Sequence, residues 1–240
     1  MLDNLKLEKI LFLDIETVSQ QPKFELLDEK LKTHWEKKAT SLATNNETPE
    51  EIYNRAGIYA EFGKIVCISV GVITHENSET KLRLKSFYND DEKVLLEAFF
   101  KMLNKHFNKP YHLLCAHNGK EFDFPYIARR GLVNGLKLPS ILDLVGKKPW
   151  ETPHLDTLQL WKFGDYKHYT SLGLLTAIFD IPTPKDDIDG SMVNQVYWED
   201  KDLKRIAVYC QKDVVALTQL FLRYRNENLI KDENIIITDN

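Results

Sequence analysis

Asp14 and Glu16, in "FLDIET", are two carboxylates set two residues apart at the end of an apolar run. On a strand that spacing sends both side chains off the same face, with Cα atoms about 6.6 Å apart. Acids so placed repel one another unless water or a cation lies between them. Hydration suffices where a strand end reaches solvent; a shared divalent ion is the other solution. A third acid, Asp123, follows another apolar run in "HNGKEFDFPY". Read alone it is a helix-capping residue, whose second oxygen stays available to a metal. The fourth, Asp213, is harder to explain as surface. At about 100° per residue, Ile206, Cys210, Leu217, Leu220, Phe221 and Tyr224 form one apolar stripe, and Asp213 lies within it. Arg205 and Lys212 fall on other faces of that helix. A carboxylate on a core-facing stripe needs a hydrogen-bond network or a cation. Tyr209, one turn earlier, is its neighbour on the helix surface.

Brought together, Asp14, Glu16, Asp123 and Asp213 offer oxygen ligands only. That set suits Mg²⁺ or Mn²⁺ rather than zinc. Two such ions about 4 Å apart can activate water and stabilise a leaving oxygen in phosphoryl chemistry. The seven histidines have no metal-ligand spacing such as His-Glu-x-x-His.

The elements that must carry these residues follow from periodicity and turn chemistry. Residues 8–15 read as a buried strand, Phe62 to Ile73 as a second, and Lys81 to Tyr88 as a third of edge type. These three are expected in a meander. Asp90 to His106 is an amphipathic helix with an acidic first turn. "YHLLCAHNG" is a fourth strand. Asp123 opens a short helix with Pro125 in its first turn and Gly131 as its stop. "PHLDTLQLW" is a fifth strand or its exit; Thr170 or Ser171 opens the next helix. A long helix closes the pattern near residue 226. Residues 22–60 read as polar, with short helices flanking the loop "ATNNETPEE". The whole predicts one mixed five-stranded α/β sheet with helices on both faces.

Composition sets the bounds. The chain has 240 residues, 43% hydrophobic and 28% charged, ordinary values for a globular protein able to bury a core unaided. A net charge of −4 gives no global basic field, which argues against a DNA coat protein but not against an enzyme whose acids hold cations. Cys67, Cys115 and Cys210 are few, scattered and in apolar contexts, and read as reduced core thiols of a cytoplasmic protein. The amino-terminal stretch has no signal-peptide pattern, and no apolar run reaches the roughly 20 residues of a membrane span.

"FLDIET", "AHNGKEFDFPYI" and "YCQKDVVAL" resemble, in order and rough spacing, the three exonuclease motifs of the DEDD (DnaQ-like) 3′-5′ exonuclease superfamily. Tyr209 stands four residues before Asp213, as in the tyrosine subtype (DEDDy); where the histidine subtype has its histidine stands Val208. The likeness runs from about residue 9 to 226, towards stand-alone domains similar to the proofreading domain of family B DNA polymerases. It departs in the 45 residues between Glu16 and Phe62, longer than in compact members. The resemblance implies a ribonuclease H-like fold and hydrolysis of nucleic acid from its 3′ end with two divalent ions, Mg²⁺ or Mn²⁺. It implies Asp14, Glu16, Asp123 and Asp213 as metal ligands and Tyr209 as the residue that orients the attacking water. A free tyrosine pKa of about 10 makes it a poor base at neutral pH. The expected organisation is one exonuclease domain over residues 1–240, with a polar insertion at about 20–60 and a tail at about 227–240.

Substrate grip calls for phosphates tracked by basic groups and bases stacked on aromatics. Asn118, Phe122 and Lys167 are the candidate contacts; Arg129 and Arg130 read as a solvated helix end, and "PKDDIDG" as a polar loop that caps the next helix. The expected substrate is single-stranded DNA, with RNA as the alternative, since nothing in the sequence locates a reader of the 2′-hydroxyl. A haloacid dehalogenase-type phosphatase fits less well: Glu16 stands where its second aspartate belongs, and Asp186 and Asp187 sit in a proline-flanked loop. A non-catalytic nucleic-acid-binding module would be expected to lack a ligand, and none is missing. With no room for a polymerase domain, the enzyme is expected either to act alone in repair or turnover or to serve a separate polymerase or repair partner.

Overall fold

The computed structural model describes residues 2–44, 47–76, 79–165, 169–182 and 188–238. Six strands, β1 (Ile10–Ser19), β2 (Gly63–Glu76), β3 (Glu79–Tyr88), β4 (Leu113–Ala116), β5 (Leu155–Asp156) and β6 (Ile235–Ile237), form one sheet in the order β5-β4-β1-β2-β3-β6. β1, β2 and β3 are the antiparallel meander; β4 and β5 run parallel to β1, and β6 parallel to β3. β2 alone is reversed, and the five strands from β5 to β3 make the ribonuclease H-like arrangement expected from the motifs.

Seven helices are described: α1 (Glu29–Leu42), α2 (Glu92–His106), α3 (Asp123–Val133), α4 (Thr157–Lys162), α5 (Leu172–Ile178), α6 (Val193–Gln195) and α7 (Leu203–Tyr224). Alternation along β1 sorts them onto two faces. Leu11, Leu13 and Ile15 pack with Phe99, Phe100 and Leu103 of α2 and Phe124 and Ile127 of α3. Ile10 and Phe12 pack instead with Leu217 and Phe221 of α7. Each such buried side chain contributes roughly 1.5–3 kcal/mol. Because the period is two, Asp14 and Glu16 inherit the face of Ile10 and Phe12, beneath α7.

The structure corrects the sequence reading at several points. β1 does not end at Ile15 but runs on to Ser19, paired with β2 throughout. Glu16 and Thr17 interrupt the apolar run without interrupting the ladder. There the register shifts, Glu16 facing Cys67 and Thr17 facing Ile65, so Val66 is the extra residue of a bulge. The sheet has six strands rather than five, because the tail returns as β6 beside β3, which is therefore not the edge. Gly131 does not stop α3; it lies inside the helix, where a Cβ would stand 2.8 Å from Phe100 Cζ. Asp123 is the first residue of α3 and its side chain does not cap it. Arg130 is buried against Glu92, not solvated.

The segment read as polar holds a small core of its own. Trp35 of α1 is wholly buried with Phe24, Ile52, Tyr53, Ala56 and Phe62, and its indole donates to Pro49 O at 2.8 Å. The periodicity hid this because α1 shows solvent three of its sides and buries only Trp35 and Ala39. Among the described residues no helix is long and apolar enough to cross a membrane.

Candidate active site

Asp14, Glu16, Asn118, Phe122, Asp123, Tyr209 and Asp213 line one open cleft of about 780 Å³. Four elements bring them there. β1 supplies Asp14 and Glu16 on its α7 face. The turn after β4 supplies Asn118, and the start of α3 supplies Phe122 and Asp123. α7 crosses the face at an angle that lets Cys210, Val214 and Leu217 bury while Tyr209, Asp213 and Ala216 reach the cleft.

Asp123 is held by the sheet itself. β4 pairs with β1 only as far as Phe12, opposite Cys115. Beyond it the amide of Ile15 is released from the ladder, and the Asp123 carboxylate accepts it. Glu16 and Asp123 are buried, while Asp14 and Asp213 are half-buried. Burial, then Glu16, Asp213 and Asp123, hold the Asp14 carboxyl well above the usual carboxylate range. Burial, then Asp213 among the neighbouring charges, does the same to Glu16. The charges of Asp123 and Asp213 thus act on both Asp14 and Glu16, and the four carboxyls form one electrostatic unit.

The donor set suits a hard divalent cation. Oxygens of Asp14 and Glu16 and the Cys210 sulfur lie within 4.8 Å of one another. Asp123 and Asp213 stand outside that tightest group but line the same cleft and act on the same two carboxyls. Cys210, a free and buried thiol as read from the sequence, also donates its S–H to Asp14 Oδ2 at 3.3 Å. Burial and the neighbouring Cys67 push the Cys210 thiol up, so in the metal-free protein it serves Asp14 as a donor.

Tyr209 donates its hydroxyl to the Asp213 carboxylate, and burial, Asp213 and Glu16 push its pKa far above the ordinary value. It keeps its proton at neutral pH and can orient a group but not abstract from it. Asn118 sits in the left-handed conformation with φ of 63°, and Phe122 packs against Tyr126 at a centroid distance of 5.3 Å. Lys167, Asp186 and Asp187 lie outside the described residues. Asp189 accepts from Ser191 N at 2.8 Å within its own turn and lines the cleft with Gly190; it does not cap the next helix, α6, whose N-cap Met192 has no side-chain bond. Trp161 packs on Phe179 and Tyr224 in a small core.

Two cleft residues escaped the sequence reading. His117 bridges Thr157 Oγ1 at 2.9 Å and Thr170 O at 2.8 Å. Tyr169, 65% exposed, stands beside it at a centroid distance of 6.1 Å and faces the acids. The contact of His117 with the segment of Tyr169 and Thr170, 53 residues on at Thr170, was not legible.

The electrostatics predict a pH dependence. Burial, and then Asp156, push the Asp123 carboxyl from 3.8 up to about 8, against the pull of amides at Ile15 and at Asp123 itself. A raised carboxyl pKa means the folded protein holds that proton more tightly than the unfolded chain. Stability from this group is therefore highest below its unfolded pKa and is lost as the pH climbs towards the folded one. In metal-free buffer, the melting temperature of the unaltered protein relative to Asp123→Asn falls as the pH rises from about 4 to about 8. A difference between the two that stays flat across that window would mean the carboxyl ionises normally.

A family model for predicted 3′-5′ exonucleases related to the exonuclease domain of PolB matches residues 58–233. The match begins after β1, so Asp14 and Glu16 join the matched part through the sheet. No curated protein matches the sequence. Among solved structures, the family B DNA polymerase of the hyperthermophilic archaeon Pyrobaculum calidifontis is 15% identical with a TM-score of 0.48, covering 89% of this chain. The chain spans about a quarter of that polymerase's length, 24%.

Proposed function

The chain belongs to the family of predicted 3′-5′ exonucleases related to the exonuclease domain of PolB, and we propose that it hydrolyses phosphodiester bonds from the 3′ end of single-stranded DNA. The observation that carries this reading is the convergence of Asp14, Glu16, Asp123, Asp213 and Tyr209 on one open cleft. In this reading the four carboxylates hold two divalent ions, Mg²⁺ or Mn²⁺, and residues 1–240 act as one exonuclease unit. Such ions, when bound, supply positive charge against the transition state and lower the pKa of water.

The chain's own residues do the rest. The four carboxyls set where positive charge collects and relieve their mutual repulsion by collecting it. Tyr209, whose hydroxyl donates to Asp213, offers its oxygen as an acceptor to the attacking water and so orients it. Phe122 and Tyr169 offer ring faces at the cleft for the terminal bases. Asn118 and Lys167 are the polar contacts to the strand. The free, buried cysteines fit a reducing compartment such as the cytoplasm, and a separate polymerase or repair protein is the proposed partner.

The test is digestion of end-labelled single-stranded DNA, duplex DNA and RNA with Mg²⁺ or Mn²⁺. Expected are cleavage of the single-stranded DNA from its 3′ end, arrest by a 3′ block but not by a 5′ block, and complete loss in EDTA restored by Mn²⁺. Degradation of a circular single strand, or full activity in excess chelator, would overturn the reading; preference for RNA would move the substrate class.

A further inference from the structure

We infer that Asp156 is a positioning residue of this site: its carboxylate fastens the turn bearing Asn118 and Asp123 to the end of β5, and so sets where Asp123 stands relative to Asp14 and Glu16. The consequence for catalysis rests on the exonuclease reading; the geometry does not.

Asp156 is 2% exposed, and its carboxylate accepts four backbone amides. Oδ1 takes Asn118 N at 3.0 Å, Leu158 N at 3.0 Å and Gln159 N at 3.2 Å; Oδ2 takes Lys120 N at 3.1 Å. The bonds to Leu158 and Gln159 cap α4, as any aspartate in that place would. The other two have no capping purpose. They reach back 38 and 36 residues to the turn after β4, whose last residue, Ala116, is paired with Asp156 itself.

That turn needs holding. Asn118 is left-handed, which costs a residue with a side chain about 1 kcal/mol or more. Glu121 N and Phe122 N bond to Asn118 O at 3.2 and 3.0 Å, and Phe124 N to Gly119 O at 2.9 Å, so the first turn of α3 hangs on residues 118 and 119. A shift at Asn118 therefore becomes a shift at Asp123. Gly119 allows no slack, since a Cβ there would meet Ala116 Cβ at 2.4 Å. The next residue of β5's exit adds a second fastening. Thr157 Oγ1 meets His117 Nδ1 at 2.9 Å, and His117 Nε2 donates to Thr170 O at 2.8 Å. Asp156 and Thr157 thus hold the turn directly, and through His117 they hold the loop that presents Tyr169.

A carboxylate whose partners are all N–H groups only accepts, and here three amides share Oδ1 and one takes Oδ2. Asp156→Asn keeps the shape but has one acceptor oxygen. Whichever way the amide turns, its NH₂ group faces Lys120 N–H or Asn118 N–H, donor against donor. The turn is released at one point at least.

The expected result for Asp156→Asn is a fall in kcat on a single-stranded oligonucleotide of about 10- to 100-fold, and Mn²⁺ affinity weakened by about the same factor. The KM for the oligonucleotide should stay within about threefold, because the base-facing rings remain. Leu103→Ala in the α2 core serves as a control for lost stability. Mn²⁺ binding is read by electron paramagnetic resonance at a temperature where both variants are folded. Equal losses of affinity in the two, or none in Asp156→Asn, would overturn the inference. Should Asp156→Asn not fold, the unaltered protein decides it by amide hydrogen exchange. Asn118 and Lys120 amides must exchange far more slowly than free amides; exchange at the free rate refutes the fastening. That readout needs no nuclease activity, so its failure is distinct from failure of the exonuclease reading.

Discussion

Asp14→Asn abolishes cleavage and leaves the protein folded. The substitution keeps the side chain's shape, and the Cys210 thiol, 3.3 Å from Asp14 Oδ2, can still donate to the amide oxygen. What it removes is one of four acids that act on one another across the cleft. If those acids exist to collect cations, Mn²⁺ affinity falls with cleavage. The metal-free protein melts no lower than before, because a half-buried carboxyl among like charges has been neutralised. Tyr209→Phe behaves differently. It removes a hydroxyl that orients rather than abstracts, and a positioned proton-handling group contributes about 10²- to 10⁴-fold; a loss at or below the low end is expected, with Mn²⁺ affinity kept. Both are measured by single-turnover cleavage of a short single strand at saturating Mg²⁺, with melting curves beside them. Near wild-type cleavage by Asp14→Asn would reduce Asp14 and Glu16 to a hydrated pair on a strand and end the mechanism.

The acids were legible because their chemistry is local. Two residues on one strand face, and one carboxylate in an apolar stripe, are statements about periodicity, and periodicity survives in a sequence. The central strands were legible for the same reason. What the sequence hid depends on contacts between distant segments. β1 continues past Glu16 because β2 supplies its ladder, not because its side chains are apolar. β6 is three residues long and exists only because β3 offers it an edge. Trp35 looks stranded in a polar segment until Phe24, Tyr53 and Phe62 close around it. Arg130, beside Arg129 near the end of a helix, has the pattern of a solvated pair. Its partner is 38 residues earlier. Asp156 carries no local sign at all beyond a capping aspartate, since half of its bonds go to a turn on the neighbouring strand.

Arg130→Met costs about 3–5 kcal/mol of folding stability, the penalty of leaving a buried charge without its partner. The guanidinium and Glu92 are 6% and 7% exposed. Nε donates to both Glu92 oxygens, at 2.9 and 3.1 Å, Nη2 to Oε2 at 2.5 Å, and Nη1 to Ala60 O at 2.9 Å. Glu92 also accepts Ile65 N at 2.7 Å and Asn134 Nδ2 at 2.9 Å. One ion pair thus joins the start of α2, the first residues of β2, the end of the 20–60 segment and the far end of α3. Apolar replacement of both partners, Glu92→Leu with Arg130→Met, should cost less than the sum of the single changes, because neither charge is then stranded. It should not reach wild-type stability. The Ile65 amide and the Ala60 carbonyl stay buried, and an unsatisfied buried polar group costs about 1–3 kcal/mol. Urea unfolding of the two single variants and the double variant measures the coupling. A cost below about 1 kcal/mol for Arg130→Met would place the pair with exposed ones. The acidic cluster gives the contrast with Asp156. Arg130 lies about two turns of α3 away from Asp123 and makes no bond to the turn at Asn118. Mn²⁺ affinity of folded Arg130→Met should therefore stay within about threefold of the unaltered protein, although its stability loss is the larger. Loss of Mn²⁺ binding in step with stability in both variants would mean that the acids are placed by the bulk of the fold and by no particular fastening.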